Sequence, residues 1–180
     1  MTYSLSGRRA LITGANQGLG LAIAKAYVRS GASVMLCARD EARLATARAE
    51  VAALAASGQQ VLARRADVSV PADVKSLFLA AMEGLGGLEI LVNNAGVYGP
   101  MGPIDEIDWN DFIRAMEVNF NGSVLLMRAV LPHFKAQRYG KIVQLSGGGA
   151  TNPLPRIAAY AASKAAIVRL AESVALDVKS

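Results

Sequence analysis

Tyr160 and Lys164 stand four residues apart in the stretch QLSGGGATNPLPRIAAYAASK, positions 144 to 164. In a helix that spacing sets both side chains on one face. A free phenol titrates near pH ~10, too high for a good base at neutral pH, and an adjacent ammonium favours the phenolate. Such a pair can hand a proton to a carbonyl oxygen or take one from a hydroxyl. A second chemical signal lies near the start, where TGANQGLG, positions 13 to 20, carries Gly14, Gly18 and Gly20 together with Asn16, Gln17 and Leu19. Glycines there let the backbone approach a pyrophosphate, and the free N–H groups at a helix start bind the anion.

These residues need elements to hold them. Apolar runs of strand length recur at 10–13, 33–37, 60–63, 89–92 and 141–145, separated by stretches with helical periodicity. Helices are predicted over 19–30, 41–57, 71–83, 109–137 and 157–178, with Pro71 suited to a first turn and Pro132 expected to kink or shorten the fourth. Strands that are apolar throughout and joined by crossover helices predict an α/β fold, a doubly wound parallel sheet of Rossmann type. Ligands in such folds sit beyond the carboxyl ends of the strands. The glycine string falls at the first of those ends and therefore reads as a dinucleotide cradle. The second strand ends in CARD, where an arginine can pair with the 2′-phosphate of NADP and an acid with the free 2′-hydroxyl of NAD. Arg39 comes before Asp40, and Asp40 can instead cap the next helix. NADP(H) is the preferred reading and NAD(H) the alternative.

Composition narrows the field. The 180 residues, 53% hydrophobic, suit a single domain spanning 1–180 with a real core. No apolar run reaches the roughly 18 residues needed to span a bilayer, and the start lacks the order of a signal peptide, so a cytoplasmic protein with no membrane partner is expected. The net charge of +5 is spread along the helices without a basic run, which argues against nucleic acid. The single cysteine, Cys37, lies in an apolar run and reads as a buried thiol. The single histidine, His133, reads as a surface residue near a helix end, and no metal site is expected.

TGANQGLG, ADVS at 66–69, NNAG at 93–96, VNFNGS at 118–123 and YAASK at 160–164 stand in one order over nearly the whole chain. In these motifs the chain resembles the short-chain dehydrogenase/reductase family, its common single-domain subgroup. The resemblance implies that Asp67 and Val68 hold the adenine, with a helix N-cap as the plainer role for Asp67. It implies that the run from Asn93 through Ala95 to Gly96 supports the central strand and lines the cofactor path. It also implies that Asn119 joins the proton relay through its main chain, and that Lys164 binds the nicotinamide ribose beside Tyr160. The helices beginning near Trp109 and Ile157 resemble those that pair between subunits, which implies a homodimer or homotetramer.

The family's catalytic serine usually precedes the tyrosine by thirteen residues, and here that position is Gly147. Ser146 stands one residue earlier, where strand alternation points it to the other face unless the glycines at 147–149 turn the chain inward. Thr151 is a second candidate hydroxyl, and a site without any such hydroxyl is the third reading. Members of the family continue through a sixth strand, a substrate-covering helix and a seventh strand, so the sheet is expected to be incomplete at its C-terminal edge. The function these signals imply is oxidoreduction between a secondary alcohol and a ketone, acting on a small-molecule carbonyl or alcohol with Tyr160 as general acid/base. The competing reading is a dinucleotide-binding sensor or regulator that has lost turnover.

Overall fold

A computed structural model describes residues 4–179. Five strands, β1 (Arg9–Thr13), β2 (Ser33–Ala38), β3 (Val61–Arg65), β4 (Ile90–Asn93) and β5 (Lys141–Gln144), form one parallel sheet in the order β3-β2-β1-β4-β5. The helices between them are α1 (Gly18–Arg29), α2 (Glu41–Ala52), α3 (Pro71–Leu85), α4 (Trp109–Met116) and α5 (Gly122–Ala136), and α6 (Ala158–Asp177) follows β5. The strand order reverses between β1 and β4, the switch point at which such sheets open a ligand crevice. This is the doubly wound Rossmann arrangement expected from the apolar runs.

Strand alternation divides the interior into two cores. In β1, Leu11 joins Met35, Leu77, Leu91, Leu126 and Val130 on one face, while Ala10 and Ile12 join Ala24, Val28, Leu36, Leu44 and Val92 on the other. Both sets are buried, which is why the central strands read as unbroken apolar runs. At the amino ends of β1 and β4, Glu89 is 6% exposed and is tied to Arg9 through its guanidinium and through the Arg9 N–H at 2.8 Å. Burial works against the Glu89 charge, yet the hydrogen bonds from Arg9 outweigh it and hold the carboxyl below its usual range.

Three expectations need correction. The helix predicted over 109–137 is divided: between α4 and α5 the chain runs as a π-helical segment, Glu117–Asn121. One extra residue per turn rotates the following side chains, and Gly122 then packs so closely on Val68 that a Cβ would come within 3.0 Å of it. Pro132 does not shorten the helix, since α5 runs past it to Ala136. Pro132 and Arg128, whose carbonyl loses its usual partner, both face solvent, where water can serve that carbonyl. The second helix ends at Ala52 rather than continuing to 57. There the Gln59 amide donates to Val28 O at 2.8 Å and Ala32 O at 2.6 Å, drawing the chain back toward β3.

Candidate active site

At the carboxyl end of β1, Gly14 (φ +63°) and Gly18 (φ +54°) adopt the left-handed backbone that glycine alone accepts freely. Gly20 packs on the Gly14 carbonyl and the Asn94 amide so closely that no Cβ would fit. Gln17 caps α1 with no side-chain bond, and the first turn carries no acid, so the helix start lacks a side-chain partner for its N–H groups. The loop and helix start open onto a cavity of about 760 Å³. Its walls include Gly14, Asn16, Gln17, Gly18, Leu19 and Gly20 from the cradle, Ala38, Arg39 and Asp40 from the end of β2 and Arg43 from the first turn of α2. Asp67 and Val68 follow β3, and Asn94, Ala95 and Gly96 follow β4. A cradle shaped by glycine, an uncapped helix start and cations at the far wall together fit a dinucleotide.

The loop after β4 fixes this geometry. Thr13 Oγ1 accepts from the N–H groups of Asn94 and Ala95, each at 3.1 Å, and Asn94 Nδ2 donates to Thr13 O at 2.9 Å and Gly14 O at 3.1 Å. Asn93 does not line the cavity. It is 2% exposed, and its Nδ2 donates to Gln144 Oε1 at 3.0 Å across to β5. Asp67 turns its Oδ1 to Ser69 N (3.0 Å) and Oγ (2.7 Å) and its Oδ2 to Arg114. Burial alone would raise its pKa, but the bonds from Ser69 and Arg114 prevail and hold it below the usual range. Asp67 is not the N-cap of α3, a position held by Val70. Asp40 does cap α2, accepting from Arg43 N at 3.0 Å. Cys37 is buried at this wall, and burial, with Asp67 and Asp73 nearby, pushes its thiol up to about 12.

Beyond Gly96 lies the second group of residues. Tyr160 and Lys164 occupy the first two turns of α6, with Lys164 Nζ 5.6 Å from the centre of the Tyr160 ring. Lys164 is 6% exposed and donates to Leu145 O at 2.9 Å, and its burial lowers its pKa from the ordinary lysine value. Asn119 sits in the π-helical segment, 2% exposed. Its Oδ1 accepts from Val97 N at 2.8 Å, and its Nδ2 donates to Val97 O at 2.8 Å and Ser163 Oγ at 2.9 Å. A Cβ on Gly96 would lie 3.3 Å from Asn119 Oδ1 and 3.7 Å from Lys164 Nζ, so these groups meet at the inner end of the cavity wall.

Ser146 is exposed and makes no hydrogen bond to Tyr160. Thr151 is exposed as well and donates to Gly148 O at 3.3 Å within its own turn. The residue aimed at the phenol is Gly147, whose Cβ would crowd the Tyr160 oxygen inside 3.0 Å. None of the three glycines has a positive φ. Their smallness serves packing on α6: a Cβ on Gly149 would overlap the Ala161 backbone. Tyr98, from the loop after β4, supplies a second phenol, its ring centred 5.0 Å from that of Tyr160.

The chain matches the short chain dehydrogenase family over residues 8–180. It belongs to that family. Among its relatives, a short chain dehydrogenase of Pseudocercospora fijiensis is 37% identical, aligned over 97% of this chain and 56% of that protein. The 2-(R)-hydroxypropyl-CoM dehydrogenase of Xanthobacter autotrophicus is 39% identical over 94% of this chain and 68% of that protein. The chain spans between 53% and 68% of the length of these two and six further curated relatives. Two solved structures share the architecture. A metagenomic short-chain oxidoreductase in complex with NADP has a TM-score of 0.90 at 33% identity, covering 97% of this chain and 78% of its own. The NAD+-bound xylitol dehydrogenase has a TM-score of 0.92 at 30% identity, covering 96% and 65%. No helix among the described residues is long and apolar enough to cross a membrane.

Several contributors escaped sequence reasoning. Arg43 follows Asp40 by three residues at a helix start, a spacing that places both on one side, yet it counted only among the charges spread along the helices. Ser163 stood unremarked between tyrosine and lysine in YAASK, and Arg114 carried no local signal at all.

Proposed function

We propose that this short chain dehydrogenase is an NADP(H)-dependent oxidoreductase that interconverts a secondary alcohol and a ketone. The observation that carries the reading is the meeting of Asn119 and Lys164 at Gly96, which lines the cavity that opens from the glycine cradle, with Tyr160 one turn before Lys164 on α6. The nicotinamide supplies or takes the hydride, and the chain supplies orientation and the proton. Tyr160 is the group that gives its phenolic proton to the carbonyl oxygen, or removes one from the alcohol in reverse. Lys164 spends one of its three N–H donors on Leu145 O, leaving two for a ribose and for the phenol's side of the site. Asn119 holds the Val97 loop and α6 together, which keeps the phenol and the cavity wall in register.

Relatives named as dehydrogenases, one of them for 2-(R)-hydroxypropyl-CoM and another for xylitol, support the reaction class. Solved neighbours hold NADP in one case and NAD+ in the other, so the cofactor preference rests on Arg39 at the tip of β2. Exposed Trp109 and Ile113, four residues apart on one face of α4, support a homodimer or homotetramer as the working assembly. Gly147 in place of a hydroxyl favours a second reading, a protein that binds the dinucleotide without turnover. Titrating NADPH and NADH against the whole protein and then screening ketones separates the two. Reduction of a ketone by the wild type and not by Tyr160→Phe supports the enzyme. Tight NADPH binding with no ketone reduced supports the binder, and equal rates in wild type and Tyr160→Phe exclude the phenol as the acid.

A further inference from the structure

Resting on the NADP(H) reading, we infer that Arg43, braced between Asp40 and Gln17, is a specificity-determining residue that forms the 2′-phosphate site together with Arg39. Arg43 leaves the first turn of α2 and crosses to the glycine-rich loop, where its Nη1 donates to Gln17 Oε1 at 3.1 Å. Its Nε lies 3.4 Å from Asp40 Oδ2, and all three residues line the cavity. The guanidinium thereby spans the gap between the tip of β2 and the phosphate cradle. Arg39 lines the same wall, and its side chain makes no hydrogen bond or ion pair among the described residues. Two guanidinium groups, one free and one braced, present fork-shaped donors to the same stretch of cavity wall, an arrangement suited to a phosphate monoester.

The bracing also decides what Asp40 can do. An unencumbered carboxylate at this wall would accept the ribose hydroxyls of NAD(H) and repel a phosphate. Here Oδ1 is taken by the Arg43 N–H at 3.0 Å and Oδ2 is paired with the Arg43 side chain, so the charge is offset where it stands. Arg43 therefore acts twice, attracting the phosphate and masking the acid that would oppose it. Its removal is expected to shift both affinities in opposite senses, whereas loss of a residue that merely supports the fold weakens both alike.

Binding of NADPH and NADH to the whole protein, followed by nicotinamide fluorescence without any substrate, reads this directly. Wild type is expected to prefer NADPH. Arg43→Ala is expected to weaken NADPH at least about tenfold while NADH binding stays level or tightens, since one charge-assisted contact and one mask are both lost. Asp40→Asn keeps a good helix cap and is expected to widen the preference for NADPH. A wild type that prefers NADPH and an Arg43→Ala variant that keeps that preference would overturn the role of Arg43 and leave the cofactor reading intact. Equal weakening of both cofactors by Arg43→Ala would also overturn it. A wild type that prefers NADH, or binds neither, would overturn the cofactor reading and this inference with it.

Discussion

Gly147 shows how much one missing side chain can decide. Its backbone is extended (φ −171°), a conformation any residue adopts, so a glycine there is a matter of space. A side chain would push on the Tyr160 hydroxyl. Gly147→Ser is accordingly expected to displace the phenol and to cost about 1–3 kcal/mol of stability, as overpacking does, measurable by urea unfolding. Unchanged stability together with faster turnover would contradict that account. Tyr160 and Lys164 were legible from their spacing, because a helix brings residues four apart together whatever surrounds it. Which way position 146 or 147 points was not legible, since one residue of strand register exchanges the two faces and nothing local fixes the register.

At the scale of elements, the π-helical segment Glu117–Asn121 is the device that aims Asn119 between the Val97 loop and α6. Asn119→Ala leaves the Val97 N–H and carbonyl without their side-chain partner and takes from the Ser163 hydroxyl one of its two, the other being Tyr160 O. It is expected to cost at least about 2 kcal/mol and to lower turnover, read by paired denaturation and rate measurements. The glycines after β5 allow an internal control. Gly149→Ala drives a methyl into the Ala161 backbone and is expected to loosen α6, whereas Gly148→Ala meets only Leu154 at 3.9 Å and is expected to be neutral in thermal melts. The existence of α4 and α5 was readable from the periodicity of 109–137. The break between them was not, because a single inserted residue barely disturbs an apolar stripe, and Val68, on which Gly122 packs after it, lies far away in sequence.

For the molecule as a whole, the alternation of apolar strands and amphipathic helices was enough to foresee the parallel sheet and its cavity, since burial on both faces admits few other solutions. The ion pairs that join distant segments were invisible by the same token: Glu89 meets Arg9, and Asp67 meets Arg114, only after folding. Both carboxyls are held below their usual range. Each contributes stability that is present above the unfolded-state value of about 4 and is lost as pH falls through the lower folded value. Stability is therefore expected to fall off below about pH 4, and Glu89→Gln to lower stability at neutral pH while flattening that acid slope. An acid slope unaltered in Glu89→Gln would assign the effect elsewhere.

In the proposed reaction Tyr160 delivers the proton as a reduced nicotinamide delivers hydride. Transfer of deuterium from NADPH labelled at C4 to a ketone tests it most directly, run side by side with the wild-type protein and Tyr160→Phe at saturating cofactor. Label is expected on the carbinol carbon with the wild type, and at least a ~100-fold slower transfer with Tyr160→Phe despite unchanged NADPH binding. Label transferred equally fast by Tyr160→Phe, or no label transferred by the wild type with NADPH bound, would contradict it.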